Sequence, residues 1–172
     1  MKILIVYATR GGVSLACAKQ LNDRLATRNE VTLCSVNDPL PAPDGFDVVV
    51  AGGSVRFGHW NRRLKKYLKK HRETLSGMPC ALFFCCGLPL RYEEYAELEV
   101  PKGVTCSLGV HYFGGELKPD KRKGLDKLFV YLMRQSILTQ DFEVKDETTQ
   151  HPLPDILPES VNRLADAIRD LQ

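Results

Sequence analysis

The chain has 172 residues, 44% hydrophobic and 26% charged, which fits one compact domain spanning 1–172 and excludes a disordered or fibrous protein. Its net charge of +3 is too small to mark a nucleic-acid binder. No run reaches the roughly 18–20 apolar residues that cross a bilayer, and no cleavage site follows the apolar start, so a cytoplasmic protein is expected.

Residues 2–7 form an almost continuous aliphatic run, the pattern of a strand buried on both faces. Gly11-Gly12 ends it. Ser14 is placed to cap a helix in which Leu15, Ala18, Leu21 and Leu25 recur at helical spacing. Val31–Val36 reads as a second strand, and the prolines of 38–43 make an extended connection that cannot be helical. Phe46–Gly53 is the third strand. Leu64, Leu68 and Leu75, with Tyr67 and His71 beside them, mark one helix whose other faces are basic. Cys80–Cys86 is the fourth strand, 87–104 reads as irregular, and Val104–Phe113 alternates as a fifth strand. The apolar positions of 122–138 predict an amphipathic helix packed on the sheet. A proline-bearing linker over 139–157 follows, and Pro158 opens a closing helix marked by Val161, Leu164, Ala165, Ile168 and Leu171.

Alternating strands and helices imply right-handed crossovers, hence an α/β three-layer sandwich around a parallel sheet. Five strands fit the doubly wound order 2-1-3-4-5, in which ligands sit beyond the carboxyl strand ends. Chemistry is therefore expected in the loops after strands one, three and four.

The first of these, Thr9-Arg10-Gly11-Gly12-Val13-Ser14, joins hydroxyls, glycines and a helix N-terminus, the composition of an anion site, while a turn rich in glycine for conformational reasons alone accounts for it equally well. It lacks both the Lys-Ser/Thr ending of an ATPase loop and the dinucleotide GxGxxG spacing, so a mononucleotide phosphate fits better. The second, Ser54-Val55-Arg56-Phe57-Gly58-His59-Trp60, suits a flat, electron-poor ring, with Phe57 or Trp60 over one face and a cation nearby. A purely structural role for both aromatics accounts for them equally well. The third, Cys86-Gly87-Leu88, permits close backbone approach.

Together these loops resemble the flavodoxin superfamily, and most of all the menaquinone-dependent protoporphyrinogen oxidases of flavodoxin type. The likeness rests on Thr9-Arg10-Gly11-Gly12, on Ser54 to Trp60, on Tyr67-Leu68-Lys69-Lys70-His71 and on Leu75-Ser76-Gly77-Met78-Pro79. It implies FMN as cofactor, its phosphate held by Thr9, Arg10, Gly11, Gly12, Val13 and Ser14. Ser54, Val55, Arg56, Phe57 and Gly58, with Cys86, Gly87 and Leu88, would flank the ring. Two features depart from the family pattern: Val13 replaces a polar residue, and 87–105 is shorter than the oxidases' insertion. Three roles stay open: an oxidoreductase passing electrons from a reduced small molecule to a quinone, an electron carrier serving a redox protein, and a scaffold without cofactor.

The cations Arg62, Arg63, Lys65, Lys66, Lys69, Lys70 and Arg72 would suit propionates or a peripheral contact with anionic lipid, or form a solvated face. His59 and His71 could relay protons but are assigned no catalytic role. The six cysteines include no pair at metal-ligand spacing, so neither zinc nor a structural disulfide is expected, and most stand in apolar segments as small hydrophobes.

Overall fold

The computed structural model describes residues 1–56, 58–87, 92–115, 124, 127, 128, 131, 132 and 155–171. In chain order they form β1 (Lys2–Ala8), α1 (Val13–Leu25), β2 (Glu30–Ser35), a single 3-10 turn at Pro43–Gly45, β3 (Val48–Ser54), α2 (Arg62–Lys70) and α3 (Arg72–Ser76). β4 (Cys80–Cys85), α4 (Tyr92–Glu99), β5 (Val110–Tyr112) and α5 (Pro158–Arg169) follow. The sheet is parallel throughout, in the order β2-β1-β3-β4-β5 expected from the alternation.

Alternate residues of each central strand enter opposite cores, because side chains on an extended chain alternate between faces. Ile3, Ile5, Val48, Val50 and Phe83 face α1 and α5, meeting Leu21, Leu25, Leu164 and Ile168. Leu4, Val6, Val49, Ala51 and Phe84 face the other way, onto Leu64, Leu68 and Leu75 of α2 and α3. Each fully buried leucine or phenylalanine contributes about 1.5–3 kcal/mol by leaving water. Strands β3 and β4 lie so close at Gly52 that a Cβ there would collide with the Phe83 carbonyl and ring.

Several local expectations are corrected. Gly12, not Ser14, caps α1. Ser14 lies inside the first turn with its side chain fully buried. The helix read through Leu64 and Leu75 breaks at His71 into α2 and α3. The buried stripe keeps its phase across the break, so periodicity alone could not reveal it. Asn61 caps α2, accepting bonds from the Arg63 and Leu64 amides at 2.9 and 3.4 Å.

Residues 92–99, read as irregular, form α4, whereas β5 is confined to three residues because Gly109 turns the chain at φ 78 just before it. Leu171 lies beyond α5 and is exposed. The 122–138 helix falls mostly outside the described residues. Its described stripe members, Leu128 and Leu132, are exposed rather than packed on the sheet. The linker expected over 139–157 is described only from 155, where Ile156 bridges to Gly114. Among the described residues no helix is long and apolar enough to cross a membrane.

Candidate functional site

Strand register brings the three expected loops to one edge. Ala8 pairs with Gly53, Ser54 with Cys85 and Phe84 with Tyr112, so β1, β3 and β4 end nearly level and their following loops emerge side by side.

The turn after β1 is shaped by Gly12, whose φ of 90 lies in the left-handed region that favours glycine. Its amide donates to Thr9 Oγ1 at 3.0 Å, closing the turn. The first intrahelical bond runs from Ala16 N to Gly12 O at 2.9 Å, so the amides of Val13, Ser14 and Leu15 have no intrahelical acceptor. Those amides, the helix dipole and an exposed glycine make a donor set suited to an anion. Arg10 is exposed on the same turn. Val13 is only 7% exposed and packs in the core, so its polarity has no bearing on the turn and only its amide faces outward chemistry. Ser14 Oγ lies 2.6 Å from Ser54 Oγ, which ties the helix start to the end of β3.

Beyond Ser54, the Val55 amide donates to Cys85 O at 2.9 Å. Arg56 and His59 then exchange reciprocal backbone bonds of 2.9 Å around Gly58, whose φ is 78. Arg56 is partly buried. Trp60 packs into the core. It is 2% exposed, stacks on Phe84 at 4.2 Å between centroids, and donates its indole N–H to Gly53 O at 3.1 Å. The structural role left open for it is the one it plays. Phe57 and Leu88 lie outside the described residues.

Sequence reasoning missed the residue that fixes this loop. Glu99, at the end of α4, has a side chain 7% exposed. Its Oε2 accepts from the Trp60 amide at 2.8 Å and the Lys65 ammonium at 2.9 Å, while Oε1 lies 3.1 Å from His59 Nδ1. Burial opposes ionisation of this carboxyl, but the Trp60 amide, Lys65 and His59 outweigh it and hold the carboxyl below its ordinary range. The His59 ring is itself largely exposed.

After β4, the Cys86 amide donates to Gly114 O at 3.0 Å and its carbonyl accepts from Tyr112 Oη at 2.9 Å. A Cβ at Gly115 would collide with that same carbonyl, so the 86–87 and 114–115 backbones meet closely. Cys85 sits behind the site, its thiol pKa pushed up by a hydrogen bond with Cys17 and then by burial, against a smaller opposing bond from Ser14. Around α2, Arg62, Arg63, Lys66, Lys69 and Lys70 are exposed, whereas Lys65 is committed to Glu99 and His71 rests on Tyr67. Among the described residues no group of three metal-ligating side chains forms.

Residues 4–143 match a family model described as a flavodoxin domain. The protoporphyrinogen IX dehydrogenase (quinone) of Escherichia coli strain K12 is 32% identical over 96 residues, 55% of this chain and 52% of that protein. The enzyme of the same name from Leishmania major is 31% identical over 86 residues, 48% of this chain and 37% of its own. The alignment thus spans about half the length of the bacterial relative and less of the other. Among solved structures, a short-chain flavodoxin associated with a non-canonical PDU bacterial microcompartment superposes with a TM-score of 0.52 at 14% identity, over 81% of this chain and 98% of that one. Two-electron reduced Megasphaera elsdenii flavodoxin gives 0.52 at 17%, over 73% and 94%. At these identities the structures show the fold alone. With a family model matched over most of its length and the sheet order of that fold, the chain belongs to the flavodoxin domain family.

Proposed function

We propose that the chain binds FMN non-covalently at the carboxyl edge of the sheet and works as an oxidoreductase, passing electrons from a reduced tetrapyrrole-like substrate to a quinone-type acceptor. The observation that carries the cofactor is the uncommitted first turn of α1 behind a left-handed, exposed Gly12, joined to the next loop through Ser14 and Ser54. Thr9 to Ser14 would hold the phosphate, and Ser54 to Gly58 with Cys86 to Leu88 would flank the ring. When bound, FMN supplies the electron-accepting chemistry.

The chain's own residues supply position and field. Gly12 lets the backbone come close, and Val13 contributes its amide alone because its side chain is core. Arg56 places a permanent cation on the ring-side loop, which favours negative charge there. Glu99 holds that loop at Trp60 and His59. The exposed cations of α2 suit propionates or anionic head groups at the inner face of a membrane. The substrate and acceptor rest on the likeness to the dehydrogenases.

The test is a visible spectrum and FMN titration of the purified protein, followed by anaerobic mixing of loaded protein with protoporphyrinogen and a menaquinone analogue. Stoichiometric FMN with quinone-dependent turnover supports the proposal. Loaded protein that reduces only a redox protein makes it an electron carrier, and no FMN binding removes both readings.

A further inference from the structure

Cys80 and Cys106 lie at the opposite end of β4 from the candidate site. Cys80 opens that strand and is fully buried, whereas Cys106 sits in the connection before β5 and is partly exposed. Their sulfurs are 2.7 Å apart. The backbone sets this approach: Leu108 N donates to Cys80 O at 2.9 Å, Leu82 N to Gly109 O at 3.0 Å, and Cys80 N to Ser107 Oγ at 3.4 Å. A disulfide bond is about 2.05 Å long, so sulfurs already in contact need only a small further approach to close one.

No other described cysteine pair combines contact with access. Cys17 and Cys85 have sulfurs 3.9 Å apart but are 0% and 2% exposed, closed to any incoming reagent. Cys34, partly exposed, has its thiol pushed up by burial and by Asp38.

We propose that Cys80 and Cys106 form a second reactive site, a dithiol that exchanges with low-molecular-weight disulfides and closes to an intrachain disulfide. The Cys106 thiolate attacks one sulfur of R–S–S–R. The Cys106–S–S–R bond forms, the R–S–S–R bond breaks, and the first R–S⁻ departs with a proton. Cys80 then attacks the Cys106 sulfur, expelling the second R–S⁻, which takes the Cys80 proton. Two protein thiols are oxidised and one small disulfide is reduced to two thiols.

The order follows from position. Cys106 is the accessible sulfur, and the Cys80 S–H donating to it holds its pKa below the ordinary thiol value, while that same bond, followed by burial, pushes Cys80 up. Once Cys106 is capped, the negative charge opposing ionisation of Cys80 is gone. The closed loop joins residues 26 apart and encloses β4, the 86–87 turn, α4 and Glu99. Such a closure restricts the unfolded chain and raises the thermal midpoint.

The experiment exposes the reduced full chain to glutathione disulfide, then quenches with acid and alkylates. Thiols should fall from six to four, a non-reducing peptide map should show Cys80 joined to Cys106, and dithiothreitol should restore all six. Cys80→Ala should stop at a glutathione adduct on Cys106, Cys106→Ser should lose no thiol at the same rate, and Cys34→Ser should react as the parent does. Retention of six thiols, a bond between another pair, or an adduct that never closes in the parent overturns the proposal. If a variant fails to fold, the peptide map of the parent chain decides alone.

Discussion

Replacing Gly12 tests the phosphate assignment, because backbone strain and charge can be separated there. A Cβ at Gly12 meets nothing within 4 Å, so Gly12→Ala brings no clash, only the cost of an L-residue at φ 90. That cost is about 1–2 kcal/mol. For a chain of this size it lowers the thermal midpoint by about 2–8 °C. The strain is present with and without FMN, so affinity should hardly change.

Gly12→Asp adds a carboxylate facing the same turn. A unit charge about 5 Å from another costs about 1 kcal/mol in water and about 3 kcal/mol at an effective dielectric near 20. FMN affinity should therefore fall about fivefold to about two hundredfold. Fluorescence titration at low and high salt is the assay, and the loss should shrink as salt screens the charges. Riboflavin, which lacks the phosphate, is the control and should bind both variants alike. Equal FMN affinity for Gly12→Asp and parent at low salt, or an equal loss for riboflavin, would refute the assignment.

Further substitutions probe the loop after β3 and the packing of the sheet beneath it. Arg56→Gln should lower the midpoint potential of bound FMN, by about 30 mV for each ~1.4 kcal/mol of lost attraction to the reduced ring; normal binding with an unchanged or raised midpoint would show that the guanidinium does not neighbour the ring. Glu99→Gln should cost about 1–3 kcal/mol at neutral pH by removing charge-assisted bonds to Trp60 and Lys65. Since the folded carboxyl titrates below its unfolded value, that contribution is complete above about pH 5 and is lost as pH falls through the folded pKa. Parent and variant midpoints should converge in acid, and a constant gap would contradict the linkage. Gly52→Ala should cost about 3 kcal/mol or more in urea unfolding because its Cβ meets the Phe83 carbonyl, whereas Gly45→Ala, with open space around it, should stay within about 0.5 kcal/mol.

The fold was legible where burial and sequence period coincide. The aliphatic blocks of β1, β3 and β4 are buried on both faces, which only a central parallel strand requires, and the crossover rule then leaves few orders for five strands. Legibility failed where local signals compete. The segment of α4 is flanked by prolines and carries Leu98 exposed at 75%, so it shows neither a clean apolar stripe nor a helix signal strong enough to outweigh its borders. The alternation of Val104–Phe113 passes through Gly109, whose left-handed backbone ends any extended run and leaves β4 only three residues to pair with.

The candidate loops were legible as a group because the strand order brings the turns after β1, β3 and β4 to one edge, but the side chains that hold them were not. Trp60 has the chemistry of a ring-stacking residue and of a core residue alike, and only the Phe84 face beneath it and the Gly53 carbonyl beside it decide between them. Glu99 acts on a loop 39 residues earlier, a separation at which no spacing rule operates. Its position has a consequence for the loop after β3. Loss of its carboxylate would release the Trp60 amide, Lys65 and His59 together, and so would loosen the loop after β3 from outside the residues proposed to hold the cofactor.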